Sequence, residues 1–114
     1  MNSCLFCSII KGDVKGDIVY QDESVVAFRD INPKAPVHIL IVPRKHIATL
    51  LDLEQGDKKL MGDIFYAATR LAKDKGISED GFRVVLNCGP GAGQSVYHIH
   101  IHLLGGRPLT WPPG

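Results

Sequence analysis

The sequence predicts an α+β domain, built on a mainly antiparallel five-stranded sheet with one long helix and a short N-terminal helix. Short apolar runs separated by Gly, Pro, Asp and Asn recur along the chain and read as strands and turns. One stretch, residues 56–75, instead repeats its apolar side chains at three- and four-residue spacing. The length of 114 residues, 45% of them hydrophobic, suits one core rather than two, so 1–114 is expected to be a single domain.

In chain order, residues 6–10 suit a short helix closed by Lys11-Gly12-Asp13. Residues 18–20 and 25–28 suit two strands around a turn at 21–24. Asp30 to Pro36 holds two prolines, which lack the N–H a central strand needs, so it is a loop. Residues 38–42 are almost continuously apolar and read as a central strand. The amphipathic helix follows, with Leu60, Met61, Ile64, Phe65, Ala68, Leu71 and Ala72 on its apolar face and Gly76 as its C-terminal stop. Residues 82–87 form the fourth strand, 89–93 a glycine-rich loop and 96–104 the fifth strand.

Charge narrows the function. The formal net charge is +1, with Lys and Arg interspersed among Asp and Glu, so no basic surface is expected to grip nucleic acid. No apolar run approaches the ~18 residues of a membrane span, and Met1 to Cys4 lacks the pattern of a signal peptide. A soluble cytoplasmic protein with no membrane partner is the expectation.

The fifth strand carries the chemistry. Side chains alternate faces along a strand, so His98, His100 and His102 share one face while Ile99, Ile101 and Leu103 take the other. Same-face neighbours lie about 6.5 to 7 Å apart, so adjacent imidazoles can divide roles around one phosphate. A neutral imidazole is a competent nucleophile near pH 7, and a protonated neighbour can offset charge developing on phosphate oxygens. Glycines 89, 91 and 93 let backbone amides approach an anion, and Gln94 and Ser95 bring side-chain donors beside them. This loop lacks the Lys-Ser/Thr ending of a Walker loop and feeds a strand rather than a helix.

The alternating His98, His100 and His102, together with Asp30 to His38, Val42 to Ile47, Gly93 to Tyr97, Leu104 to Arg107 and Trp111-Pro112-Pro113-Gly114, resemble the histidine triad (HIT) family. Within it they look like the histidine triad nucleotide-binding (HINT) branch. That resemblance implies a HIT-like fold, a homodimer, and hydrolysis of purine nucleoside phosphoramidates to an amine and a nucleoside monophosphate through a nucleotidyl-histidine intermediate. Adenosine is the expected nucleoside. By the same resemblance His100 is the nucleophile, His102 contacts the phosphate, His38 completes the histidine cluster and Ser95 assists near the leaving group. Gln94, Gly93 and Asn87 would hold the phosphate and adjoining atoms, Asp30 the ribose hydroxyls, and Phe28 and Ile31 the base, with Val96 among the nucleotide contacts. Taken singly, Asp30 could be a turn former before the prolines, Asn87 a strand-end cap and Phe28 a core residue.

Cys4 and Cys7 have the spacing of a zinc knuckle, but tetrahedral zinc needs four ligands and no second Cys-x-x-Cys exists, so histidines must complete it. Members of the family with this cysteine pair imply Cys4, Cys7, His46 and His98 around a structural zinc, with no metal required for catalysis. A redox dithiol and two plain buried thiols remain the alternatives. The rival functions are a metal-dependent hydrolase with a catalytic zinc on triad histidines, a dinucleoside polyphosphate hydrolase, and a nucleotide-binding regulatory module with weak turnover. The resemblance also places the C-terminal tail near the partner subunit's site, whereas a lone Trp111 more often covers apolar surface of its own subunit.

Overall fold

A computed structural model describes residues 4–114; the reading of Met1 to Ser3 lies outside the described residues. The chain runs α1 (Leu5–Lys11), β1 (Ile18–Gln21), β2 (Val25–Arg29), β3 (Val37–Pro43), α2 (Lys58–Asp74), β4 (Phe82–Val85) and β5 (Ile101–Gly105). The strands form one sheet in the order β1-β2-β3-β5-β4 with every neighbouring pair antiparallel. The apolar β3 is central, as its composition predicts.

Alternation along the strands divides the core between two helices. Val25, Ala27, Ile39, Ile41, Ile101 and Leu103 face α2 and meet Ile64, Ala67, Ala68, Leu71 and Ala72. Val26, Phe28, Leu40 and Val42 face the other way and meet Phe6 and Ile9 of α1. The short helix thus covers the face on which the histidines lie.

Helix α2 ends as the sequence predicts. Gly76, at φ 73°, donates to the Lys73 carbonyl and Ile77 donates to the Ala72 carbonyl, the paired bonds of a Schellman stop. Phe65 departs from expectation: placed on the apolar face by its spacing, it is 46% exposed beside Tyr66, while Ala67 is buried instead. The packed stripe is narrower than the apolar one: the buried positions are Ile64, Ala67, Ala68, Leu71 and Ala72, which meet small and branched side chains of β2, β3 and β5.

The fifth strand is also shorter than predicted. Pairing starts at Ile101, so residues 96–100 approach it as irregular backbone, and 3-10 turns at Leu50–Asp52, Gln55–Asp57 and Pro90–Ala92 were not legible as elements. Within this approach Ile99 and His98 are both fully buried, and the His98 ring packs against Phe6 of α1. A single bond from the Ile99 N–H to the Ile47 carbonyl, 2.6 Å, replaces the missing ladder there.

Candidate functional site

The site forms where β3 and β5 lie side by side beneath α1. Register places Leu40 opposite His102 and His38 opposite Leu104, so His38 and His102 are diagonal neighbours on one face. Their rings meet with His38 Nε2 2.9 Å from His102 Nδ1. Phe28 pairs with Leu40 from the other side, giving a row Phe28, Leu40, His102 across three strands.

Hydrogen bonds fix each ring's tautomer. The Lys34 N–H donates to His38 Nδ1 at 3.0 Å, so neutral His38 carries its proton on Nε2 and gives it to His102 Nδ1. His102 then carries its own proton on Nε2. His100 Nδ1 lies 2.7 Å from the His98 carbonyl, which can only accept, so its proton is on Nδ1 and Nε2 keeps the lone pair. The middle histidine is thereby held in the nucleophilic form.

Burial keeps these rings neutral. Desolvation lowers His100 and His38 below the usual imidazole value, and in His38 it outweighs the nearby Asp30 carboxylate. The 3.4 Å contact of His38 Nε2 with Asp30 Oδ2 therefore joins a neutral ring to a carboxylate. Desolvation, with His100 and His38 as neighbours, takes His102 down to about 4. At neutral pH His102 is a neutral N–H donor, not the imidazolium that sequence reasoning allowed beside the nucleophile.

A cavity of about 320 Å³ opens over this row, lined by Phe28, Asp30, Ile31, Ser95, Val96, His100 and His102 of the expected set. Its remaining walls include Leu5, Phe6 and Ile9 of α1 and Val14 to Gly16, none of which the sequence marked as functional. The usable signal for Phe6 was its position inside Cys4-Leu5-Phe6-Cys7, which ties it to whatever the cysteines hold. A second cavity of about 500 Å³, which His102 also lines, takes in Asp30, His38 and Asn87. Asp30 lines both, and its Oδ1 also accepts from the Asn32 N–H at 2.8 Å, so it is a turn former that also lines the cavities.

Gln94 and the glycine loop correct the expectation. Gln94 is buried, its Oε1 accepts from the Gly89 N–H, and its Nε2 donates to the Ala48 and Val96 carbonyls. The side chain braces the loop instead of facing the cavity. The Ala92, Gly93 and Gln94 amides donate back to Gly89 and Pro90 carbonyls, and Gly93 sits at φ 89°, so these amides close a turn instead of cradling an anion.

His98 turns away to a second cluster. Its Nε2 lies 2.7 Å from the Pro43 carbonyl and so carries the proton, which leaves the Nδ1 lone pair for Cys4 Sγ at 3.4 Å, Cys7 Sγ at 3.5 Å and His46 Nδ1 at 3.1 Å. Cys7 Sγ is 3.4 Å from His46 Nδ1. Zinc with Zn–S of about 2.3 Å and Zn–N of about 2.0–2.1 Å in a tetrahedron would set S···N edges near 3.5 Å and N···N edges near 3.3 Å. The cluster matches these edges to a few tenths of an ångström, with all four ligand atoms within 4.8 Å of one another. The donor set fits a structural zinc, and it gathers the four residues the resemblance implies. Asp30, His38 and His102 also converge within 4.8 Å. Their close nitrogen pair is accounted for by the His38 to His102 hydrogen bond.

Comparison with known proteins agrees with this geometry. The chain is 51% identical over 112 residues to a 14 kDa zinc-binding protein of Zea mays, covering 96% of this chain and 87% of that one. It is 49% identical over 105 residues to the purine nucleoside phosphoramidase of Escherichia coli K12, covering 92% and 88%. A HIT family hydrolase from Legionella pneumophila Philadelphia 1 superposes with a TM-score of 0.97 at 52% identity, over 98% of this chain and all of that one. The HIT domain family model matches residues 11–109, and the chain belongs to that family.

Proposed function

We propose that this chain is a purine nucleoside phosphoramidate hydrolase of the HINT branch that works through a covalent nucleotidyl-His100 intermediate. The observation that carries the reading is the 2.7 Å bond from His100 Nδ1 to the His98 carbonyl, which leaves Nε2 as a neutral nucleophile. The E. coli phosphoramidase at 49% identity supports the substrate class, and the hydrolase named among the structural relatives supports the reaction type.

In this reading the base lies over Phe28, Ile31 and Val96, Asp30 accepts from the ribose hydroxyls, and the α-phosphate sits between His100 and His102. His100 Nε2 attacks phosphorus, the P–N bond breaks, and the leaving amine takes the Ser95 hydroxyl proton, which Ser95 regains from the water that later hydrolyses the intermediate. His102 Nε2–H donates to a phosphate oxygen as negative charge builds there, and His38, through its bond to His102 Nδ1, keeps that donor aimed. Water then attacks the nucleotidyl-His100, releasing the monophosphate and restoring the free ring. Asn87 lines the second cavity together with His102, and in this reading it steadies the phosphate or leaving group.

The Cys4, Cys7, His46 and His98 site holds a structural zinc in this reading, supported by the ligand geometry and by the zinc-binding relative. The metal would fix the N-terminal helix and take no part in the chemistry. Dimerisation has support in the exposure of Phe65, Tyr66, Phe82 and Trp111. Trp111 is 80% exposed and so does not cover its own subunit, which leaves it available to a partner's site. No helix among the described residues is long and apolar enough to cross a membrane; a cytoplasmic location remains part of the proposal.

The test is nucleoside monophosphate release from an adenosine phosphoramidate by the wild type and by His100→Asn, with folding checked by circular dichroism. Loss of turnover by about a thousandfold or more in a folded variant is expected. Equal rates would sink the nucleophile. The convergence of Asp30, His38 and His102 favours one second reading, a metal-dependent hydrolase; turnover that disappears on chelation while the fold persists and His100→Asn stays active would select it.

A further inference from the structure

We infer that the Cys4, Cys7, His46 and His98 cluster is coupled to the nucleotide cavity, so that zinc and nucleotide each raise the other's affinity, with Phe6 and His98 as the positioning residues that join them. The inference rests on the nucleotide reading only in taking the occupant of the cavity to be a nucleotide.

Two physical links connect the sites. His98 presents its ring Nδ1 to the cysteines and its carbonyl oxygen to His100 Nδ1, so a shift of its backbone that opens the cluster also moves the group that fixes the His100 tautomer. Phe6 stands between Cys4 and Cys7 and packs edge-on against His100, His98 and Phe28 at ring-centroid distances of 5.0, 6.0 and 5.2 Å. Leu5, Phe6 and Ile9 form one wall of the cavity.

Helix α1 has seven residues, too few to be stable without tertiary ties, and its N-terminal end is tied through the cysteines. Tetrahedral ligation would fix that end relative to His46, which follows β3, and to His98. The wall formed by α1 would then be set at the width a nucleotide meets. A nucleotide filling the cavity presses on the same wall, and such coupling is reciprocal by thermodynamic necessity.

The test uses the full chain and AMP, a product of the proposed reaction. Zinc affinity is measured by competition with a chromophoric chelator, without AMP and with AMP at a concentration calorimetry shows to be saturating. AMP is expected to tighten zinc binding about fivefold or more, the lower end of typical coupling. Phe6→Leu is expected to bring that factor towards one while the chain still takes up zinc. Equal zinc affinities in a chain that binds AMP overturn the coupling.

A second readout needs no nucleotide. Imidazole nitrogen spectra of the zinc-loaded and zinc-stripped chain should show His100 as a single Nδ1–H form with zinc and as a broadened or mixed form without it. Unchanged His100 signals overturn the proposal. If calorimetry finds no AMP binding, the phosphoramidase reading fails, and these spectra alone decide the coupling. If the stripped chain unfolds, Phe6→Leu in the zinc-loaded state decides. Slower zinc release to the chelator with AMP than without it in the wild type, and no such difference in Phe6→Leu, supports the coupling, and equal release rates in the wild type overturn it.

Discussion

His98 and His102 lie four residues apart on the same side of one segment, yet the protein holds them in opposite ways. His98 gives its Nε2 proton to the Pro43 carbonyl and turns a lone pair towards two thiols and a second imidazole. His102 receives a proton at Nδ1 from His38 and keeps its own N–H at Nε2 for the cavity. One end of the segment is therefore a cation site and the other a hydrogen-bond donor at the cavity. The difference teaches that the histidines are specified by the backbone carbonyls and amides around them, and that the same residue type at regular spacing can serve two unrelated chemistries. Between the two, His100 takes its tautomer from the carbonyl of one neighbour and shares a wall with the other.

The comparison is sharpened first at the metal end, where the largest effect on the fold is expected. Cys7→Ser removes a buried ligand and should lower the melting temperature by about 10 °C or more relative to the zinc-loaded wild type. Chelator treatment of the wild type should lower it similarly, by calorimetry, while leaving Cys7→Ser almost unmoved. A wild type indifferent to chelation would break the contrast between the ends.

At the other end, His102→Ala should reduce kcat by about a hundredfold to a thousandfold through loss of one phosphate donor, with a melting temperature close to that of the wild type. Single-turnover kinetics would check it. A fall confined to KM would instead mean that His102 contributes only to ground-state binding. His38→Leu acts one bond further away and should reduce kcat by about tenfold to a hundredfold, since it frees the His102 tautomer without removing the donor. If His38→Leu proved as severe as His102→Ala, His38 itself would touch the phosphate.

The smallest expected effect is on acid stability. The folded-state value of about 4 for His102 lies below its ordinary value of 6.5, so the unfolded chain binds more protons between these limits. The stability His102 contributes is present above about pH 6.5 and is lost as pH falls towards 4. Urea titrations of zinc-stripped protein at pH 7 and pH 5 should show this decline, and His102→Asn should make it shallower. His38 and His100, both lowered by burial and facing the same ring, contribute in the same sense and remain in the variant. An unchanged slope in His102→Asn would mean that His102 is solvated in the free protein.

Several features were legible because they are local. Periodicity located α2 and its glycine stop, and proline placement marked the loop at Asp30 to Pro36. The alternation of histidines with Ile101 and Leu103 separated a chemical face from a core face, Ile101 and Leu103 packing in the α2 core while His98 and His100 meet Phe6 of α1. Gln94 was misread because a glutamine beside a glycine loop looks the same in sequence whether its amide points at a ligand or, as here, bonds three backbone groups of its own fold.

What the sequence by itself determined is the inventory: one long amphipathic helix, a central apolar strand, three histidines at period two, and a cysteine pair in need of further ligands. Only the tertiary structure decided how that inventory is shared out. The β3 to β5 register brings His38 to His102 across 64 residues, the fold of α1 brings Cys7 to His98 across 91, and the carbonyls of Pro43 and His98 set which nitrogen of each ring is free. Side-chain period is a property of neighbouring residues, whereas register and the direction of a hydrogen bond depend on which distant backbone arrives alongside.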